Sequence, residues 1–146
     1  MASVAVRTAG GILHLNLSDE LLRPIPRITA TPAALELIEM LRVAFGPLMF
    51  HQSGGCCDGS APMCFERNEF RTGSGDVLIG VIENETPFWM SEDQFQYWQH
   101  TQLTLDVVNG RGSSFSLEIP TGKRFIIRSR MFAEHELPFL EPLRRA

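Results

Sequence analysis

Two proline junctions frame the one long helical pattern in this chain and limit what can surround it. Thr31-Pro32 opens the pattern, because Thr supplies a capping oxygen and proline lacks only an N–H that the first helical position does not need. Gly46-Pro47 closes it. Between the junctions Ala34, Leu37, Ile38 and Leu41 fall on one face, while Glu36, Glu39 and Arg42 take another. That stripe is core packing, so the helix needs a sheet or a second layer to lie on. The residues after it are cut into short alternating runs by Gly, Pro and Asn, which reads as strands. The fold class expected is α+β, with one long helix and one short one.

The strands can be placed from period and turn chemistry. Residues 3–17 predict a hairpin turning at Ala9-Gly10-Gly11, and Arg23-Pro24-Ile25-Pro26 reads as an extended lead-in. Leu48-Met49-Phe50 predicts a short buried strand. Asp76–Glu83 and Pro87–Met90 predict a hairpin through Asn84-Glu85-Thr86. Ser91-Glu92-Asp93-Gln94 has the form of a capping box, predicting a short helix to about Gln99 that buries Phe95 and Trp98. Leu103, Leu105 and Val107 then alternate with polar residues in one strand. Phe115, Leu117 and Ile119 do so in a second, and residues 124–132 supply a third. Pro138 and Pro142 mark a tail of short turns.

The chemistry concentrates in residues 51–64, His-Gln-Ser-Gly-Gly-Cys-Cys-Asp-Gly-Ser-Ala-Pro-Met-Cys, which hold all 3 cysteines. Glycine and proline keep this stretch from forming a long regular element. Cys56, Cys57 and Cys64 offer soft thiolates and His51 an imidazole, a ligand set suited to zinc, iron or copper. The same residues suit thiol catalysis, with His51 or His100 as base and Asp58 orienting it. Packing of small apolar cysteines, or a disulfide, is the third reading. Ser53, His51 and Asp58 have the residue types of a hydrolase triad but lack nucleophile-elbow spacing, so that combination is set aside.

Composition narrows the partners. A formal net charge of −4 opposes a dedicated nucleic-acid binder, which needs a basic face. Met1 to Leu22 is interrupted by Arg7, His14, Asn16 and Asp19, so no secretory leader is evident. No run approaches the roughly 18 apolar residues of a membrane helix. A cytoplasmic protein with reduced thiols is expected, which favours metal or redox use of the cysteines.

Laid end to end, the loop, Phe88-Trp-Met-Ser-Glu-Asp-Gln-Phe-Gln-Tyr-Trp-Gln-His-Thr-Gln-Leu103 and Arg124-Phe-Ile-Ile-Arg-Ser-Arg-Met-Phe132 resemble an uncharacterised bacterial family often encoded beside aldehyde dehydrogenase genes. The likeness covers residues 28–134. More distantly, the order of helix, strand, Ser-Gly-Gly-Cys loop, hairpin and His-Thr-Gln-Leu strand is similar to the A-type (HesB-like) iron–sulfur carriers. That resemblance implies one mixed-sheet domain over residues 27–132, with an N-terminal extension at 1–26 and a tail at 133–146. Cys56 matches the carrier's loop cysteine, whereas its C-terminal Cys-Gly-Cys has no counterpart after Pro120. Together these likenesses imply a homo-oligomeric accessory protein rather than a conventional enzyme. It would bind zinc, iron or an iron–sulfur cluster through Cys56, Cys57, Cys64 and His51 and serve an aldehyde dehydrogenase or another metalloenzyme client. The alternative is a cysteine-dependent redox or aldehyde-reactive enzyme.

Overall fold

The computed structural model of the chain describes residues 4–8, 11–15, 24–54, 59–112 and 115–145. In chain order the strands are β1 (Val4–Thr8), β2 (Gly11–Leu15), β3 (Ile28–Ala30), β4 (Leu48–Gln52), β5 (Met63–Glu66), β6 (Asp76–Ile82), β7 (Thr86–Ser91), β8 (Thr101–Asn109), β9 (Lys123–Met131) and β10 (Arg144–Arg145). The helices are α1 (Pro32–Phe45) and α2 (Glu92–Trp98), with 3₁₀ turns at Ile119–Thr121 and Glu134–Phe139. The result is a mixed α+β fold. β1 and β2 pair as the expected antiparallel hairpin, whose Ala9-Gly10 turn lies outside the described residues. Five strands hydrogen-bond in the order β10-β6-β7-β4-β5 and three in the order β3-β8-β9. Both of these sheets are mixed, because β4 runs parallel to β7 and β3 parallel to β8. No helix among the described residues is long and apolar enough to cross a membrane.

α1 forms where its end signals put it. Thr31 Oγ1 accepts from the Ala34 N–H at 3.2 Å, and Gly46 ends the helix at a φ of 84°, a conformation that favours glycine. Its buried residues are Ala34, Leu37, Ile38 and Leu41. They join a core filled by Leu48, Phe50, Val77, Phe88 and Met90 from the larger sheet and by Leu103, Leu105, Phe125 and Ile127 from the smaller one. Phe50 is the link between the two. Its ring stacks on Phe88 at 5.9 Å and meets Phe125 edge-on at 4.8 Å, an arrangement favoured by the aromatic quadrupole.

Two expectations fail in instructive ways. Ser91 caps α2 by accepting from the Gln94 N–H, but Gln94 Oε1 is buried with no partner, so the reciprocal half of the box is not made. Residues 115–119 form no strand, and they lie instead in the connection between β8 and β9, which pair with each other from Asn109 and Lys123 onward. Their alternation is inverted: Phe115 is 89% exposed while Ser116 and Glu118 are buried. The segment satisfies its polar groups from side chains instead of a ladder. Cys64 N–H donates to Ser116 Oγ at 2.8 Å, Leu117 N–H donates to the Cys64 carbonyl at 3.0 Å, and Ser116 Oγ donates to the Glu118 carboxyl. Pro120, lacking an N–H, then suits the 3₁₀ turn better than a paired strand.

The two main sheets touch where β3 passes β6. At Gly80, beside a register shift in β6, a Cβ would lie 2.7 Å from Ile28 Cγ2. Gly80→Ala is therefore expected to lower stability by about 1–3 kcal/mol through overpacking. A shift of the urea midpoint at unchanged slope checks this, and an unshifted midpoint would mean that the sheets can part at no cost.

Candidate functional site

The residues singled out around the cysteine loop are distributed by β4. Its five residues are all buried, and alternation along a strand sends Phe50 and Gln52 to one face and Met49 and His51 to the other. Phe50 enters the core. His51, opposite Met63 on β5 and beside Trp89 on β7, faces away from it. There the imidazole lies 4.5 Å from the Phe70 ring, which itself stacks on Phe65 at 4.9 Å. Both ring nitrogens have partners: Nε2 is 2.7 Å from Asp76 Oδ1, and Nδ1 is 2.6 Å from Ser53 Oγ.

Asp76 is the functional candidate that the sequence hid. It stands 25 residues from His51, and only the parallel pairing of β4 with β7 and the antiparallel pairing of β7 with β6 bring the two together. Its second oxygen accepts from the Gly73 N–H at 2.8 Å, while its own N–H donates to the Gly73 carbonyl at 3.0 Å. The carboxylate is thereby fixed in orientation. Burial alone would raise its pKa, but the Gly73 N–H and the His51 ring outweigh burial and hold it below the usual carboxylate value. An ionised Asp76 at Nε2 makes Nε2–H the donor, leaving Nδ1 as the lone-pair nitrogen that accepts from the Ser53 hydroxyl.

Of the cysteines, Cys56 and Cys57 lie outside the described residues, as does Asp58. Cys64 sits opposite Phe50 in register and is fully buried in the core. Burial, with Glu118 adding to it, pushes its thiol well above the ordinary range. His51 and Cys64 therefore leave opposite faces of the sheet and are not brought together. His100 is exposed, on the turn after α2, and its backbone carbonyl accepts from the Phe132 N–H. Among the described residues no group of three or more His, Cys, Asp or Glu side chains is placed to hold a metal ion.

A second polar cluster lies along the edge of β5 that β4 leaves unpaired, where residues 116–118 meet the Cys64 backbone. Glu118 is fully buried, and its Oε1 has no partner. Desolvation raises its pKa against the opposing pull of the Ser116 hydroxyl and the N–H groups of Glu118 and Phe125. Gly112 makes room for it, because a Cβ there would come within 2.9 Å of the Glu118 carboxyl carbon.

The family described as Domain of unknown function (DUF779) matches residues 37–131. Neither a curated protein nor a solved structure matches the chain.

Glu118 makes stability depend on pH with a definite sign. Its folded pKa lies above the ordinary value of 4.5, so its contribution is fully present below that value and is lost as pH rises through the folded pKa. Glu118→Gln removes this dependence. The variant is expected to gain stability relative to the parent as pH increases, read from urea midpoints at mildly acidic and mildly alkaline pH. A difference that stays constant with pH would show that Glu118 titrates normally.

Proposed function

This chain belongs to the DUF779 family, and we propose that the loop between β4 and β5 is a thiol-dependent, aldehyde-reactive site served by His51 as general base. The observation that supports this reading is the 2.7 Å contact of Asp76 with His51 Nε2, at the root of a loop that carries Cys56 and Cys57. A carboxylate on one ring nitrogen orients the imidazole and makes the other nitrogen the proton acceptor. The sulfur of Cys56 or Cys57 adds to the aldehyde carbon, forming an S–C bond as the C=O π pair moves onto oxygen. The thiol proton passes to His51 Nδ1 through the Ser53 hydroxyl that contacts it and returns by the same route to that oxygen, giving a thiohemiacetal with no oxidant consumed. Cys64 takes no part, since its thiol is buried behind the sheet. The setting beside aldehyde or alcohol oxidation is an inference from the bacterial family that the sequence resembles.

The same contact favours a second reading, metal binding. A histidine whose far nitrogen meets a carboxylate is also the usual arrangement of a metal ligand with its outer partner. Here Cys56 and Cys57 with His51 would hold zinc or iron, in an accessory role and with a further ligand from a second subunit, as the likeness to iron–sulfur carriers suggests.

Alkylation kinetics test the first reading. A loop thiol is expected to react quickly with iodoacetamide near neutral pH, to slow by about tenfold in His51→Ala as its thiolate fraction falls, and to be protected by millimolar propanal. Cys64→Ser is expected to leave the rate unchanged. Uniformly slow labelling in parent and variant would overturn the reading.

Elemental analysis of protein purified without an affinity tag tests the second. Near-stoichiometric metal is expected, with affinity falling about 10–100-fold in Asp76→Asn and unaffected by Cys64→Ser. Metal-free protein with no tight binding on titration would exclude it.

A further inference from the structure

The hydrogen-bonded chain through His51 has an exposed end. Ser53 is solvent-accessible, while the His51 side chain that it contacts is 5% exposed. The Gln52 side-chain amide donates to the Gly54 carbonyl and closes the turn on which Ser53 sits. Behind the imidazole, Asp76 is pinned by the Gly73 N–H, and Phe70 packs against the ring at 4.5 Å. The base is thus buried and fixed in orientation, and its lone-pair nitrogen is aimed at a hydroxyl that a substrate can reach. An imidazole held between a carboxylate and a hydroxyl has the roles needed to activate serine as a nucleophile, whatever the order of the residues in the chain. In the sequence Ser53 and His51 stand with Asp58 and without nucleophile-elbow spacing. The fold supplies Asp76.

We propose that Ser53 is an acyl-accepting nucleophile for activated carboxylic esters, with His51 as its general base and Asp76 as the residue that positions His51. Ser53 Oγ bonds to the ester carbon as its proton passes to His51 Nδ1. The tetrahedral intermediate collapses with cleavage of the C–O bond to the leaving group, which takes that proton. Water then attacks the acyl-serine, His51 accepts its proton, and collapse returns the proton to Ser53 Oγ with release of the carboxylic acid. Half-buried Phe70 beside the imidazole, with half-buried Phe65 stacked on it, suits an apolar acyl group. The inference rests on His51 acting as a base, as in the aldehyde-reactive reading, but not on either loop cysteine.

The experiment uses the full chain carrying Cys56→Ala and Cys57→Ala, in EDTA, so that thiol and metal chemistry are both removed. A fluorophosphonate probe is expected to label Ser53, located by peptide mass spectrometry, and p-nitrophenyl acetate to be hydrolysed with turnover. Ser53→Ala should abolish both without changing the circular dichroism spectrum. Asp76→Asn should slow hydrolysis by about 100-fold or more, and Ser53→Cys should restore acylation by the same ester. If Ser53 remains unlabelled while the parent's loop thiols still alkylate at a His51-dependent rate, the serine proposal is overturned and the aldehyde-reactive reading stands. If neither serine labelling nor thiol reactivity depends on His51, both fall together.

Discussion

Strand β4 is buried along its whole length, and because successive residues of a strand leave opposite faces, it must serve two environments at once. One residue, Phe50, closes the seam between the sheets through Phe88 and Phe125. Its neighbour His51 cannot follow it inward without shifting the whole strand by one register position, which would drive the imidazole into the core and Phe50 out of it. The placement of the candidate base is therefore secured by the packing energy of an aromatic residue that never touches it.

The same strand pairing separates the cysteines by role. Cys64 is paired opposite Phe50 and inherits the core side, where it behaves as a small apolar side chain. Glu118 enters that side from the turn after β8, one of its oxygens meeting no partner. Keeping a carboxyl group there favours its neutral form, which costs less to bury than an unpaired anion. The polar cluster of Ser116, Glu118 and the Cys64 backbone substitutes for a ladder at the free edge of β5.

Much of this architecture is readable in the chain itself, for local physical reasons. Thr31, Pro32 and Gly46 act on their own helix, and the alternation of Leu103 and Leu105 reflects a single half-buried strand. The inverted segment at 115–119 was not readable: Phe115, Leu117 and Ile119 have the spacing of a strand, and nothing short of the tertiary fold reveals that Ser116 and Glu118 are the residues turned inward. The candidate site is divided in the same way. His51 and Ser53 are neighbours in sequence, so their pairing is written locally. Asp76 is brought in by a parallel strand crossing, which no spacing rule reports, whereas Asp58, the carboxylate that spacing does suggest, lies within the loop itself. The likeness to a family of unknown function was legible from the loop and the aromatic helix, and residues 37–131 carry it.

The Gly73–Asp76 turn has a bearing on how this chain can vary. Surface connections between strands ordinarily accept insertions and deletions at little thermodynamic cost. This one ends in a carboxylate whose two oxygens are committed to different places, one to its own turn and one to a histidine on another strand. Meanwhile Phe70 in the same connection lies on that histidine's ring. The stretch between Phe70 and Asp76 therefore acts as a spacer of set length, in which an exposed turn and the alignment of a buried side chain are tied together.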